Sequence, residues 1–247
     1  MRKPEQYWDV SFNPLVGCAP VSEGCEHCWA RMLDKRFHGG QHFDGHGPYY
    51  KPEVLGKLRH WKKARKIFVC DMSDIGHPGV SPCARTEIRE MMRESPQHTY
   101  LLLTKRPENL TGPMPDNWWL GATCEDQRRL DERVPELLKI QAKIRWLSLE
   151  PLLGPVHDHS NALFPGDPGM ARGWCWADVD WVVVGRESGP GARPCRIEWV
   201  ESAVEQCQAA EVAVWIKQLQ IDGKCVRDIL RFPKHLQIRE YPKLIKE

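Results

Sequence analysis

The sequence predicts an α/β fold, a full or partial TIM-like barrel of parallel strands, and three observations carry the prediction. Short, continuous apolar runs alternate with helical segments along most of the chain. The runs are unbroken rather than alternating, so both faces of each strand are expected to be buried, as in parallel sheets with helical crossovers. A length of 247 residues suits one such domain. A doubly wound open sheet is the structural alternative.

In chain order, an extended run over residues 7–14 leads into a cysteine loop and then a helix over residues 26–37. A Gly- and His-rich loop follows at 39–48, then a basic run of Lys57, Arg59, His60, Lys62, Lys63, Arg65 and Lys66 around Trp61. That run reads either as a solvated face or as a phosphate-contacting patch. Strands are predicted at 67–71, 99–104, 118–123, 144–149, 181–185 and 212–216. Helices are predicted at 82–94, with Ser81 as N-cap and Pro82 as opener, at 126–140 and at 198–210. Residues 156–178, rich in Pro, Gly and His, interrupt the rhythm as a loop insertion in a single domain spanning 1–247.

Composition sets limits. Hydrophobic residues make up 41% and charged residues 28%, which fits a globular chain. No run is apolar enough for a membrane span and no signal peptide opens the chain, so a cytoplasmic protein is expected. Ten cysteines in that setting point to thiols and metal binding rather than disulfides. A net charge of +2 does not by itself argue for nucleic acid.

Cys18, Cys25 and Cys28 stand at C-x6-C-x2-C spacing just before a helix. A structural zinc site needs four protein ligands, usually as two close pairs, and here there is one close pair and one distant cysteine. Thiolates at this spacing also ligate iron–sulfur clusters, where three cysteines leave one iron open. Zinc completed by His27 or a distant cysteine, and three ordinary thiols, are the competing readings.

Each strand predicted after this loop ends in polar residues, and in parallel barrels these ends hold the active site. They are Asp71 and Ser73; Lys105 and Arg106; Glu125; Glu150; Gly185, Arg186, Glu187 and Ser188; and Lys217 with Gln218. Each alone could be a cap or a surface charge. Together they predict a polar pocket facing the cysteine loop. The glycines at 185–191 would admit a ligand close to backbone, and Glu187 could accept from an amino or hydroxyl group.

With these residues in hand, the chain resembles a phage-associated protein family of unknown function with the hallmark W-N-P-x-x-G-C-x6-C-x-x-C-Y-A. The matching residues are Phe12, Asn13, Pro14, Gly17, Cys18, Cys25, Cys28, Trp29 and Ala30. Further blocks are M-S-D at 72–74, L-T-K-R-P at 103–107, L-G-x-x-x-E at 120–125, E-P-L at 150–152, G-x-E-S-G-P-G-A-R-P at 185–194 and K-Q at 217–218. The chain departs from the hallmark at Phe12 and Trp29, and Arg186 replaces a usual Gly. This family is similar to radical S-adenosylmethionine enzymes, although their usual spacing is C-x3-C-x2-C.

The resemblance implies a [4Fe-4S] cluster on Cys18, Cys25 and Cys28, and S-adenosylmethionine chelating its open iron. It also implies an electron donor and a 5′-deoxyadenosyl radical that abstracts a substrate hydrogen. Glu187, Ser188, Gly185 and His27 are then expected to hold the cofactor, His27 where a ring packs on adenine. Lys105, Glu125 and Glu150 are the catalytic candidates. Asp71, Ser73, Arg106, Arg186, Arg193 and Lys217 are the candidates for contact with substrate or nucleic acid. A phage setting points to isomerisation of a modified thymidine in DNA, inside the host cytoplasm. The alternative is a zinc- or iron–sulfur-containing nucleic-acid-binding or redox-sensing module without catalysis.

Overall fold

The computed structural model describes residues 5–159 and 173–243. Its elements in order are β1 (Val10–Phe12), β2 (Leu15–Val16), α1 (Trp29–His38), β3 (Tyr49–Tyr50), α2 (Lys57–His60), β4 (Lys66–Val69), α3 (Pro82–Arg93) and β5 (Thr99–Thr104). They continue with β6 (Trp118–Thr123), α4 (Gln127–Leu138), β7 (Ile144–Leu149), β8 (Trp181–Gly185), α5 (Ile197–Ala209), β9 (Ala213–Ile221) and β10 (Lys224–Val226).

Eight strands form one sheet in the order β1-β4-β5-β6-β7-β8-β9-β10. The first seven run parallel and β10 returns antiparallel on β9. β2 and β3 make a separate antiparallel pair. Each parallel strand adds to the same edge, so the order lacks the reversal of a doubly wound sheet. β1 and β10 end the order unpaired to one another, so among the described residues the sheet is open and not the full TIM-like barrel the rhythm predicts.

Side-chain alternation along the strands separates two cores. On the helix side, Ile67, Val69, Leu102, Leu120, Leu147, Leu149, Val182, Val184 and Ile216 pack with Ile88, Met92, Val134, Leu137, Val200 and Val204 of the helices. On the other face, Phe68, Leu101, Trp119, Trp146, Trp181, Val183 and Trp215 form an aromatic core sealed by Tyr7. Gly121 makes this face possible: a Cβ there would lie 2.4 Å from the Trp146 ring. The segments around residues 7 and 241 meet over the aromatic core. The Tyr241 hydroxyl donates to the Tyr7 carbonyl at 3.1 Å, and the Trp181 indole N–H donates to the Glu240 carbonyl at 2.8 Å.

Helix starts follow their capping residues. Ser81 accepts from the Ala84 N–H and Asp126 from the Arg129 N–H, satisfying first-turn donors. All ten cysteines are free thiols. No helix among the described residues is long and apolar enough to cross a membrane. Of the predicted insertion at 156–178, residues 160–172 lie outside the described residues; Trp174 and Trp176 beyond them are buried.

Candidate functional site

The C-terminal ends of the parallel strands open into a cavity of about 540 Å³, within the range of ligand pockets. Cys18, Cys25 and Cys28 line it. So do Asp71, Ser73, Lys105, Arg106, Glu150, Arg186, Glu187, Ser188 and Lys217, together with His27. The predicted convergence of cysteine loop and strand ends is therefore present. A wider, open depression of about 870 Å³ beside the start of α5 holds none of these residues.

The cysteine loop is clamped from below by the strand ends. Glu125, fully buried behind the loop, receives Lys105 and the Ser22 hydroxyl (2.6 Å) on one oxygen and Arg133 (2.7 Å) on the other. Burial would raise its pKa, but the two cations outweigh that and hold the carboxyl below its ordinary range. Gly24 lies flat on this carboxylate, since a Cβ there would come within 2.4 Å of it. Arg106 bonds Asp74 at 2.8 Å and the Ala19 carbonyl at 2.8 Å. Arg129 reaches Glu23 at 2.8 Å, and Arg193 reaches the Glu23 carbonyl at 2.9 Å. Glu125 and Arg106 thus hold the loop, and neither offers a free charged end.

The thiols differ in their surroundings. Burial and Asp74 push the Cys18 thiol up to about 11, against the Arg106 guanidinium 3.8 Å away. Burial also works against a Cys25 thiolate. Lys105 and hydrogen bonds from the Val21 and Ser22 N–H groups overcome it and lower that pKa. Cys28 stands at the N-cap position of α1, and its side chain makes no capping bond. Among the described residues no three His, Cys, Asp or Glu side chains converge on one metal-ion position.

The far wall is a second set of pairs. Lys217 bonds Glu150 at 2.9 Å, and the Ser148 hydroxyl donates to Glu150 at 3.3 Å. β8 and β9 slip register here, Val184 facing Ile216 and Gly185 facing Gln218, so Lys217 occupies a bulge. Bulges beside sites re-aim a side chain in this way. A Cβ on Gly185 would lie 2.6 Å from Glu150, so this glycine makes room for a carboxylate. Asp71 accepts from the Ser11 hydroxyl and, at 2.6 Å, from Asn13; burial raises its pKa. Ser73 donates to the Gly17 carbonyl at 2.6 Å and so braces the loop.

Glu187 takes three hydrogen bonds from Arg193, through its N–H (2.8 Å), Nε (3.0 Å) and Nη2 (2.5 Å). Its pKa is lowered because these bonds outweigh its burial. Gly191 packs on His27 and Gly189 on Met32, so the glycine loop leans on the cysteine segment. The basic run at 57–66 lies elsewhere. It leads into the N-terminal end of β4, at the rim opposite the cavity, where Arg59 pairs with Glu94.

Asp74, at the predicted polar strand end, also supports the site, as do Arg133, Arg129 and Gly24 without a local sequence cue. Arg133 stands on the middle of α4, and only the fold aims it back at Glu125.

A family model described as "Protein of unknown function (DUF5131)" matches residues 4–240, nearly the whole chain, and the chain belongs to that family. No curated protein and no solved structure matches it significantly.

Proposed function

We propose that this member of the DUF5131 family is a radical S-adenosylmethionine enzyme built on an incomplete TIM-like barrel. The observation that carries the reading is the shared wall: three thiols face the polar ends of the parallel strands across one cavity. A tetrahedral zinc ion with Zn–S bonds of about 2.3 Å would need its sulfurs only about 3.8 Å apart. Cys18, Cys25 and Cys28 line one cavity, and in a cluster each sulfur meets a separate iron.

In this reading Cys18, Cys25 and Cys28 hold a [4Fe-4S] cluster. With bound S-adenosylmethionine and an external electron donor, it would supply a carbon-centred radical able to take a substrate hydrogen. The residues of the chain do the rest. Arg106 beside Cys18, and Val21 N–H and Ser22 beside Cys25, direct donors at sulfur, a lever on cluster potential. Glu187 has about four acceptor sites, three of them facing Arg193, which leaves one for an amino or hydroxyl group of the cofactor. Ser188 and His27 flank it on the cavity wall. Glu150 and Lys217 stand ready to hold or move a proton opposite. Lys105 favours the Cys25 thiolate while it steadies Glu125.

Lys105, Arg106 and Arg193 each face a carboxylate partner, and the basic run sits at the opposite rim. The charge arrangement therefore favours a compact substrate that enters the cavity whole. A modified thymidine, isomerised as a single extruded nucleotide rather than gripped within a duplex, fits that description.

The test is anaerobic reconstitution with iron and sulfide, then reductant and S-adenosylmethionine. Expected are a brown protein and release of 5′-deoxyadenosine, both lost in Cys25→Ala. Colourless wild-type protein carrying stoichiometric zinc would refute the reading in favour of a non-catalytic zinc module.

A further inference from the structure

Arg186 is largely buried in the cavity wall, and no described residue forms an ion pair with it. It follows Gly185 at the end of β8, and its backbone is fixed from both sides by Gln218. The Arg186 N–H donates to the Gln218 carbonyl at 3.4 Å, and the Gln218 side-chain amide donates to the Arg186 carbonyl at 2.6 Å. Its side chain lines the cavity, and the residue is only 7% exposed. The Nε is buried without a hydrogen-bond partner, and no ion pair joins the guanidinium to a described residue.

The other buried arginines behave differently. Arg106 is paired with Asp74, Arg133 with Glu125, and Arg129 with Glu23 and Glu132. Of the carboxylates lining the cavity, Glu150 is engaged by Lys217, Glu187 by Arg193, Asp74 by Arg106, and Asp71 by Ser11 and Asn13, and Glu5 forms no ion pair with Arg186. Neighbouring Cys195 supplies no charge, since burial pushes its thiol up to about 11 despite Arg186.

A guanidinium cannot shed its proton to escape burial. An uncompensated buried charge is strongly unfavourable, and pairing is what removes the penalty. An anion carried by a ligand in the cavity would supply the partner that this position lacks. The planar fork of Arg favours a carboxylate or phosphate, bound through two parallel N–H···O bonds.

We propose that Arg186 is the anion receptor of the cavity, docking a carboxylate or phosphate carried by the organic ligand that enters it. The proposal goes beyond the radical reading, because metal-free protein can show it. Two sources share this chemistry: the carboxylate of S-adenosylmethionine and an acidic group on the substrate.

The test is calorimetric titration of wild type, Arg186→Gln and Arg186→Lys with four probes. S-adenosylmethionine and thymidine 5′-monophosphate carry the anion; methylthioadenosine and thymidine are their neutral counterparts. At least one anionic probe should bind wild type. Arg186→Gln should weaken it roughly ten- to a hundredfold, the range for a hydrogen bond to a charged group. Arg186→Lys should fall between, and affinity for the neutral counterpart should not move. Loss confined to S-adenosylmethionine assigns the receptor to the cofactor, and loss confined to the nucleotide assigns it to the substrate. Equal affinity of wild type and Arg186→Gln for the anionic probes, or no binding of either to wild type, overturns the proposal. Should Arg186→Gln not fold, wild type binding neutral and anionic probes equally tightly overturns it instead. Iron content is measured separately, so absence of a cluster and absence of an anion site give distinct results.

Discussion

Replacing Glu125 by Gln tests whether the cysteine loop is held by the protein rather than by metal. The carboxylate is fully buried and neutralises two cations, Lys105 and Arg133, while accepting from Ser22. Gln keeps the shape and one acceptor but removes the charge, leaving two cations without their counterion. Breaking a buried pair from one side costs about 3–5 kcal/mol. Gln retains part of the hydrogen bonding, so the lower end, roughly 3 kcal/mol, is expected. For a chain of this size that lowers Tm by roughly 6–12 °C. The assay is circular dichroism melting of metal-free protein across pH. Glu125 titrates below its ordinary range when folded, so its contribution is complete above the unfolded pKa of about 4.3. It is lost as pH falls through the lower folded value. The gap between wild type and Glu125→Gln should thus be full at pH 7 and close in acid. A Tm change under roughly 2 °C at pH 7, or a gap that widens in acid, would refute the clamp.

Two further outcomes follow from packing. Gly121→Ala forces a methyl into the Trp146 ring and should cost about 1–3 kcal/mol, read as a lower urea midpoint with altered tryptophan fluorescence; an unchanged midpoint would contradict the packing. Tyr241→Ala strips a ring from Trp119, Trp181 and Trp215 and should cost roughly 2–3 kcal/mol in the same titration. Unchanged stability there would mean that the end of the chain does not seal the aromatic face.

The strands were legible because parallel strands are buried on both faces and read as unbroken apolar runs. The predicted strands at 99–104, 118–123, 144–149 and 181–185 coincide with β5 to β8, and the helices at 82–94 and 198–210 with α3 and α5. β10 and the small β2–β3 pair were not legible, being two or three residues long without a distinct pattern. The openness of the sheet was not legible either, since local periodicity carries no information on whether first and last strands meet. At the site, the polar strand ends announced themselves by position. Their partners did not: Arg133 reaches back to Glu125 from along α4, Gly24 meets it through long-range folding, and nothing in the E-S-G block states that Glu187 faces Arg193. Arg186 is the opposite case, visible in the sequence at a strand end and informative only once its burial is known.

The clasp of Tyr241 on Tyr7 joins positions 234 residues apart. During synthesis residue 7 leaves the ribosome long before residue 241, so the tryptophans beneath the cavity wait bare until their last neighbour emerges. The cysteines are made early, but the surface behind the strands is covered only when a segment 234 residues downstream of Tyr7 folds back on it.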